Sequence, residues 1–128
     1  GEGGHHYIWL NDDTAWSWKL IHAAEKHMTR LVREYSDATG QLKEMLQQLG
    51  RELLILEASD WQFLISTIAA ADYAEMRLKQ HAEDFEFIRG LIDRFVAEED
   101  VDLESWERYH TICRRDPLFP HLDLSIWA

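Results

Sequence analysis

Residues 40–56 read GQLKEMLQQLGRELLIL, and the spacing of their apolar side chains decides the fold. These side chains recur every three or four residues, which is the period of one face of an α-helix: Leu42, Met45, Leu46, Leu49, Leu53 and Leu56. Gly50 interrupts the stripe, so we expect either a close approach to another part of the chain or a weak point there. The pattern predicts a helix whose apolar face is buried.

The same period continues on the N-terminal side of this stretch. Residues 16–35 carry apolar and aromatic side chains at helical spacing. Three residues before them are good N-caps: Asn11, Asp12 and Asp13. Residues 36–40, SDATG, predict the turn that joins this first helix to the second.

Helical signals also continue toward the C-terminus. Ser59 and Asp60 are expected to cap a short connector helix that ends near residues 66–67. Two further helices are predicted on either side of an acidic linker at residues 98–102: about 70–98 and about 103–114. Both prolines, Pro117 and Pro120, lie beyond these helices, and no strand-like alternation is present.

The predicted fold class is therefore all-α. We expect an antiparallel helical bundle of three long helices, with shorter helices and an extended C-terminal tail. The length of 128 residues fits one domain. Within it we distinguish a connecting segment at 1–10, the helical bundle at 11–115 and the tail at 116–128. The chain lacks an initiator Met, so we expect a processed or excised piece.

Charge and hydropathy exclude several classes of partner. Thirteen Lys and Arg stand against 24 Asp and Glu, which gives a net charge of −11. Such a chain repels nucleic-acid backbones and anionic lipids, so we expect neither as a partner. The most apolar window, residues 53–71, contains Glu57 and Asp60 and cannot span a membrane. A single cysteine, Cys113, and the lack of a signal-peptide pattern favour the cytoplasm.

Motifs for catalysis and metal binding are weak. A di-iron bundle needs Glu-x-x-His on two helices, and only Glu107 with His110 matches. The pair His5 and His6 could chelate a metal, although polar turn residues are the simpler interpretation. Cys113 is interpreted as a semi-buried structural thiol rather than a reactive one. Three histidines among apolar neighbours are interpreted as core or boundary residues: His22, His27 and His81. We predict no metal, no cofactor and no catalytic residue.

The close spacing of the tryptophans is the feature that a simple packed core does not explain. Three of the six tryptophans, Trp9, Trp16 and Trp18, lie within ten residues. On a helix, Trp16 and Trp18 point about 200° apart, so one of them must face solvent or a partner. Exposed rings beside short polar side chains suit sugars, whose C–H faces stack on aromatic rings. An equally good interpretation is that the rings pack at one end of the bundle or in an interface with another domain.

Several segments resemble one known family. They are similar to the region that follows the catalytic barrel in family 57 glycoside hydrolases of the α-glucan branching enzyme type. The resemblance covers nearly the whole chain, and Gln62 stands where that family commonly has proline. The matching segments are GEGGHHYIWLN at 1–11, Trp16 to Trp18 with residues 24–28, RELLILEASDWQFLI at 51–65, DYAE at 72–75, His81-x-x-Asp84-Phe85, and DPLFPHLD at 116–123.

The resemblance implies a retaining transferase that cuts an α-1,4-glucan and reattaches the fragment as an α-1,6 branch. Its two catalytic carboxylates lie in the upstream barrel, so this chain should be inactive alone. The helical domain is implied to pack on that barrel and to line the cleft that binds the α-glucan. The implied substrate-binding residues are the stacking platforms Trp9 and Trp18, then Asp60 and Trp61, and His6, where an aromatic residue is common.

Two other functions remain open at this point. A purely structural or oligomerisation bundle would have no ligand contact and would expose a large apolar patch. A free-standing enzyme or metal bundle would need inward-facing carboxylates and histidines with ligand geometry.

Overall fold

A computed structural model describes the backbone of residues 12–65, 68–119 and 121–127, and the side chains of residues 18–59, 75–119 and 121–127. These residues form four α-helices and one 3-10 turn: α1 (Asp12–Glu34), α2 (Gly40–Ile65), α3 (Ile68–Val96), α4 (Leu103–Arg115) and the turn Leu124–Trp127. No strand occurs in the described ranges, and the predicted all-α class is confirmed. None of these helices has the length and hydropathy of a membrane span.

The turn between α1 and α2 lies where the sequence predicts it. The backbone N–H of Ala38 donates to the carbonyl of Tyr35, which tightens the end of α1. Gly40 then begins α2 with a φ of +61°, in the region that residues with a Cβ rarely adopt. A short turn of this kind brings α2 back along α1.

Helix α2 is longer than the sequence predicts. It runs without a break to Ile65, and the expected connector helix capped by Ser59 and Asp60 is wrong. Ser and Asp cap a helix only where the chain enters it, and inside a helix they cost only tenths of a kcal/mol, roughly. No glycine or proline lies between Gly50 and Ile65 to interrupt the helix.

The apolar stripe of α2 forms the centre of the core. Its buried members belong to one apolar core with side chains from the other three helices. Helix α2 runs antiparallel to α3, because only residues 66 and 67 separate the two helices and Glu52 contacts His81. The largest fully buried side chains are Met28, Leu31, Met45, Leu46, Leu49, Leu53, Leu56, Leu78, Phe85, Ile88, Leu91 and Ile92.

The predicted acidic linker is exposed except at Val101, and it also caps the last helix. The Asp102 carboxylate accepts a hydrogen bond from the backbone N–H of Ser105, at the start of α4. Arg94 of α3 donates to the same carboxylate at 3.2 Å. The linker thus fixes the entry of α4 relative to the end of α3.

The C-terminal tail packs back on α2 and is less extended than the sequence predicts. Gln47 donates to the Leu122 carbonyl at 2.9 Å, and Arg51 donates to the carbonyls of Leu118 and Phe119. The 3-10 turn that follows places the Trp127 ring over α2. A Cβ added to Gly50 would lie 2.7 Å from two atoms of that ring, so the predicted close approach at Gly50 is confirmed.

Replacing Gly50 by alanine is expected to lower the free energy of unfolding by about 1–2 kcal/mol, because the added methyl group overlaps the anchored Trp127 ring. Gly90→Ala is the matched control, since nothing lies within 4 Å of its added Cβ. That control should gain up to about 1 kcal/mol from helix propensity. Urea denaturation measures both, and equal gains for the two variants would contradict the contact.

Candidate functional site

Trp18 is the one predicted binding residue whose side chain lies in the described part of the chain. It is 45% exposed, although it lies on α1 only three residues before the buried Ile21. Its ring centroid lies 5.6 Å from that of His22, one helical turn later, with an interplanar angle of 34°. The indole therefore has a face available to solvent or to a ligand.

Two carboxyl groups extend this surface from α1 to α2. His22 Nδ1 lies 3.3 Å from Glu25 Oε1, and Glu25 is hydrogen-bonded to Glu57 of α2. Partial burial and the adjacent Glu25 raise the pKa of Glu57 to about 7, so Glu57 is only partly ionised near neutral pH. We call Trp18, His22, Glu25 and Glu57 the Trp18 row.

The other four predicted binding residues are not tested by the structure. His6 and Trp9 lie outside the described residues. Asp60 and Trp61 lie on the α2 backbone, the first of them three residues after Glu57, but their side chains are outside the described part. The assignment of these four residues stays a prediction.

A second polar group of side chains is buried between α2, α3 and the end of α4. The Glu52 side chain is fully buried, and its Oε1 lies 3.3 Å from Nδ1 of His81, which is 3% exposed. Asp84 and Asp116 are also buried and lie next to this pair. With Arg115 they form what we call the buried polar cluster.

Arg115 contacts all three carboxylates of the buried polar cluster. Its Nη2 lies 2.6 Å from Asp84 Oδ2 and 3.5 Å from Glu52 Oε1, and it also donates to Asp116. Arg108 also lies 3.6 Å from Asp84 Oδ1, and two guanidinium groups beside three carboxylates leave one negative charge to be neutralised. Burial and a hydrogen bond with Asp116 hold the pKa of Glu52 well above its usual range, while burial lowers the pKa of His81.

A groove of about 510 Å³ opens beside this cluster. Apolar side chains form most of its wall, among them Leu54 of α2 and Phe119 of the tail, and Phe119 is exposed. His81, Arg115 and Asp116 line its polar side. The volume lies in the range of small-ligand sites. Because the groove is lined by His81, Arg115 and Asp116, solvent can reach this side of the cluster.

Sequence reasoning missed the buried polar cluster. The interpretation of His81 as a core residue is confirmed, but its partners were not recognised. A signal was present in α2, where Glu52 occupies a position on the predicted apolar face, three residues after Leu49. Cys113 is half-buried, as predicted, and burial raises its thiol pKa, which is consistent with a structural rather than a reactive thiol.

The family model described as "1,4-alpha-glucan branching enzyme, C-terminal" matches residues 20–127. The chain belongs to this family. The 1,4-alpha-glucan branching enzyme of Thermococcus kodakarensis is 38% identical over 107 residues, which is 84% of this chain and 16% of that relative. No solved structure matches the chain.

The resemblance to the C-terminal region of branching enzymes is thus confirmed, and its further assignment to glycoside hydrolase family 57 stays a prediction. This branching-enzyme C-terminal domain spans 16% of the length of the curated relative that it matches. The Trp18 row contains one of the predicted binding residues, Trp18. The buried polar cluster contains none of them.

Arg115→Met should destabilise this branching-enzyme C-terminal domain by about 2–3 kcal/mol, because it leaves buried carboxylates without their cationic partner. Arg114→Met is the matched control: Arg114 is exposed, and its side chain donates to Thr111. That variant should change stability by less than about 0.5 kcal/mol. Chemical denaturation at pH 7 compares the two, and similar losses would contradict the role of Arg115.

Glu57→Gln should make the unfolding free energy less dependent on pH. The folded pKa of Glu57, about 7, lies above the ordinary value of 4.5, so its stabilising contribution is complete below pH 4.5 and is lost as the pH rises through 7. The free energy of unfolding of the variant should exceed that of the parent by about 0.5–1 kcal/mol at pH 8, and the two should be equal at pH 5.

Thermal unfolding between pH 5 and pH 8 measures this effect. Glu83→Gln, on the exposed surface of α3, controls for the removal of one negative charge from an acidic chain. A pH profile that both substitutions change alike would rule out the Glu25–Glu57 pair as the cause.

Proposed function

We propose that this chain is the non-catalytic C-terminal domain of an α-glucan branching enzyme and lines one side of the substrate cleft. In this proposal the catalytic barrel of the same protein cuts an α-1,4-glucan and reattaches the fragment as an α-1,6 branch. The helical domain packs on that barrel and binds the glucan chain. The observation that carries the proposal is the exposed Trp18 ring beside paired carboxyl groups.

The chemistry of the Trp18 row matches a saccharide. An exposed indole offers an apolar face on which the C–H face of a glucose ring stacks. Glu25 and Glu57, which share a hydrogen bond, offer their remaining carboxyl oxygens as acceptors to sugar hydroxyls. The imidazole of His22 adds a further polar group between the ring and the carboxyls.

The remaining members of the proposed binding set come from the sequence. Trp9 and His6 precede α1, whereas Asp60 and Trp61 follow Glu57 on α2. Asp60 is three residues after Glu57, and residues at that spacing are neighbours on a helix surface. This spacing supports a glucan path that continues from the Trp18 row along α2.

The location proposed for the domain is the cytoplasm. The free thiol of Cys113 is consistent with a reducing compartment. No second chain, nucleic acid or lipid is needed for the proposed role.

Trp18→Ala in the complete protein should weaken binding of a linear maltooligosaccharide about tenfold, which corresponds to about 1.4 kcal/mol of lost stacking. Trp18→Phe keeps a ring and should retain most of the affinity. Calorimetric titration is the suitable measurement, because loss of an indole would alter fluorescence without any change in binding.

Trp106→Phe is the control for a tryptophan outside the site, since Trp106 packs edge-on against Phe95 and Tyr109. An unchanged dissociation constant for Trp18→Ala would overturn the proposed cleft wall. Unchanged affinity together with a lowered melting temperature would favour the purely structural bundle instead.

A further inference from the structure

We propose that Glu52, His81 and Asp116 bind one divalent transition-metal ion, with Zn²⁺ as the ion that best fits these donors. This site is separate from the Trp18 row and does not depend on the proposed glucan function. It lies where α2, α3 and the start of the tail meet.

The geometry of the three side chains is close to that of a metal site. One ligand atom of each lies within 4.8 Å of the others. Glu52 Oε1 and His81 Nδ1 are 3.3 Å apart. Two ligands bound to zinc at about 2.0–2.1 Å in a tetrahedral arrangement are separated by roughly that distance.

The donor set selects the class of ion. An imidazole nitrogen with two carboxylate oxygens suits Zn²⁺ and neighbouring first-row metals, whereas Mg²⁺ and Ca²⁺ prefer oxygen ligands alone. Three protein ligands leave one position for water. The groove beside His81 and Asp116 supplies room for that water and a path by which the ion enters.

The charge of the surroundings favours a cation. Glu52, Asp84 and Asp116 are buried carboxylates; Arg115 contacts all three, and Arg108 lies 3.6 Å from Asp84. The two guanidinium groups leave one net negative charge on this group of side chains, which attracts a metal ion. Arg115 is held by Asp84 at 2.6 Å, so it can stay paired there when an ion takes its place near Glu52.

A neighbouring side chain already orients one ligand. Gln48 Nε2 donates to Glu52 Oε2 at 3.2 Å and to the Asp116 carbonyl at the same distance. This leaves Glu52 Oε1 directed to His81 and to the ion. Hydrogen bonds of this kind fix ligand orientation in metalloproteins and strengthen metal affinity.

The test is calorimetric titration of the complete chain with Zn²⁺ after removal of metals by chelation. The histidine pair His5 and His6 could also bind zinc, so the titration is done in a His5→Ala/His6→Ala chain. One Zn²⁺ per chain is expected in this background. His81→Asn should then weaken binding at least about tenfold, and Gln48→Ala about 10–100-fold with all three ligands retained.

The melting temperature provides a second readout that needs no change to the cluster. Zn²⁺ that binds the folded state should raise it in the His5→Ala/His6→Ala chain, whereas Mg²⁺ should not. Co²⁺ should show the intense visible absorption of a four- or five-coordinate site. Zinc binding that disappears with His5 and His6, or that is unaffected by His81→Asn, overturns the proposal, as does a melting temperature that Zn²⁺ leaves unchanged.

Discussion

Burial of the apolar face of α2 is the constraint on which the other elements depend. Leu46, Leu49 and Leu53 are fully excluded from solvent, and each such side chain contributes about 1.5–3 kcal/mol relative to exposure. Because α1 covers one flank of this helix and α3 covers another, α2 presents different polar side chains to each neighbour. Glu57 meets Glu25 of α1, and Glu52 meets His81 of α3.

The buried polar cluster fixes the positions of α3 and the end of α4 relative to α2. Glu52, Asp84 and Asp116 come from α2, α3 and the residue after α4, and Arg115 contacts all of them. Removing such groups from water is costly, so a cluster of this kind is a weak source of net stability. It nevertheless distinguishes one register of these elements from others, since a shift of one helical turn would leave buried charges unpaired.

Helical periodicity predicted the elements well because it is a local property of the sequence. The boundaries of α1 and α4, the turn before Gly40 and the contact at Gly50 all follow from spacing and residue type. The same reasoning wrongly placed a break at Ser59. Capping residues signal a helix start only where the backbone turns, and spacing alone does not show whether it turns there. It could not find the buried polar cluster, whose members are separated by up to 64 positions along the chain, between Glu52 and Asp116. Pairing between helices is a tertiary property, and periodicity within each helix does not contain it.

The path of the tail has a practical meaning for where this domain ends. Regular helix stops at Arg115, and a boundary drawn from helix content alone would be placed there. Leu122 and Trp127 nevertheless cover Gly50, and the carbonyls of Leu118 and Leu122 accept hydrogen bonds from Arg51 and Gln47 in the middle of α2. Truncation at Arg115 would expose the centre of the domain rather than trim its edge. Expression boundaries and C-terminal tags should therefore be chosen beyond Trp127.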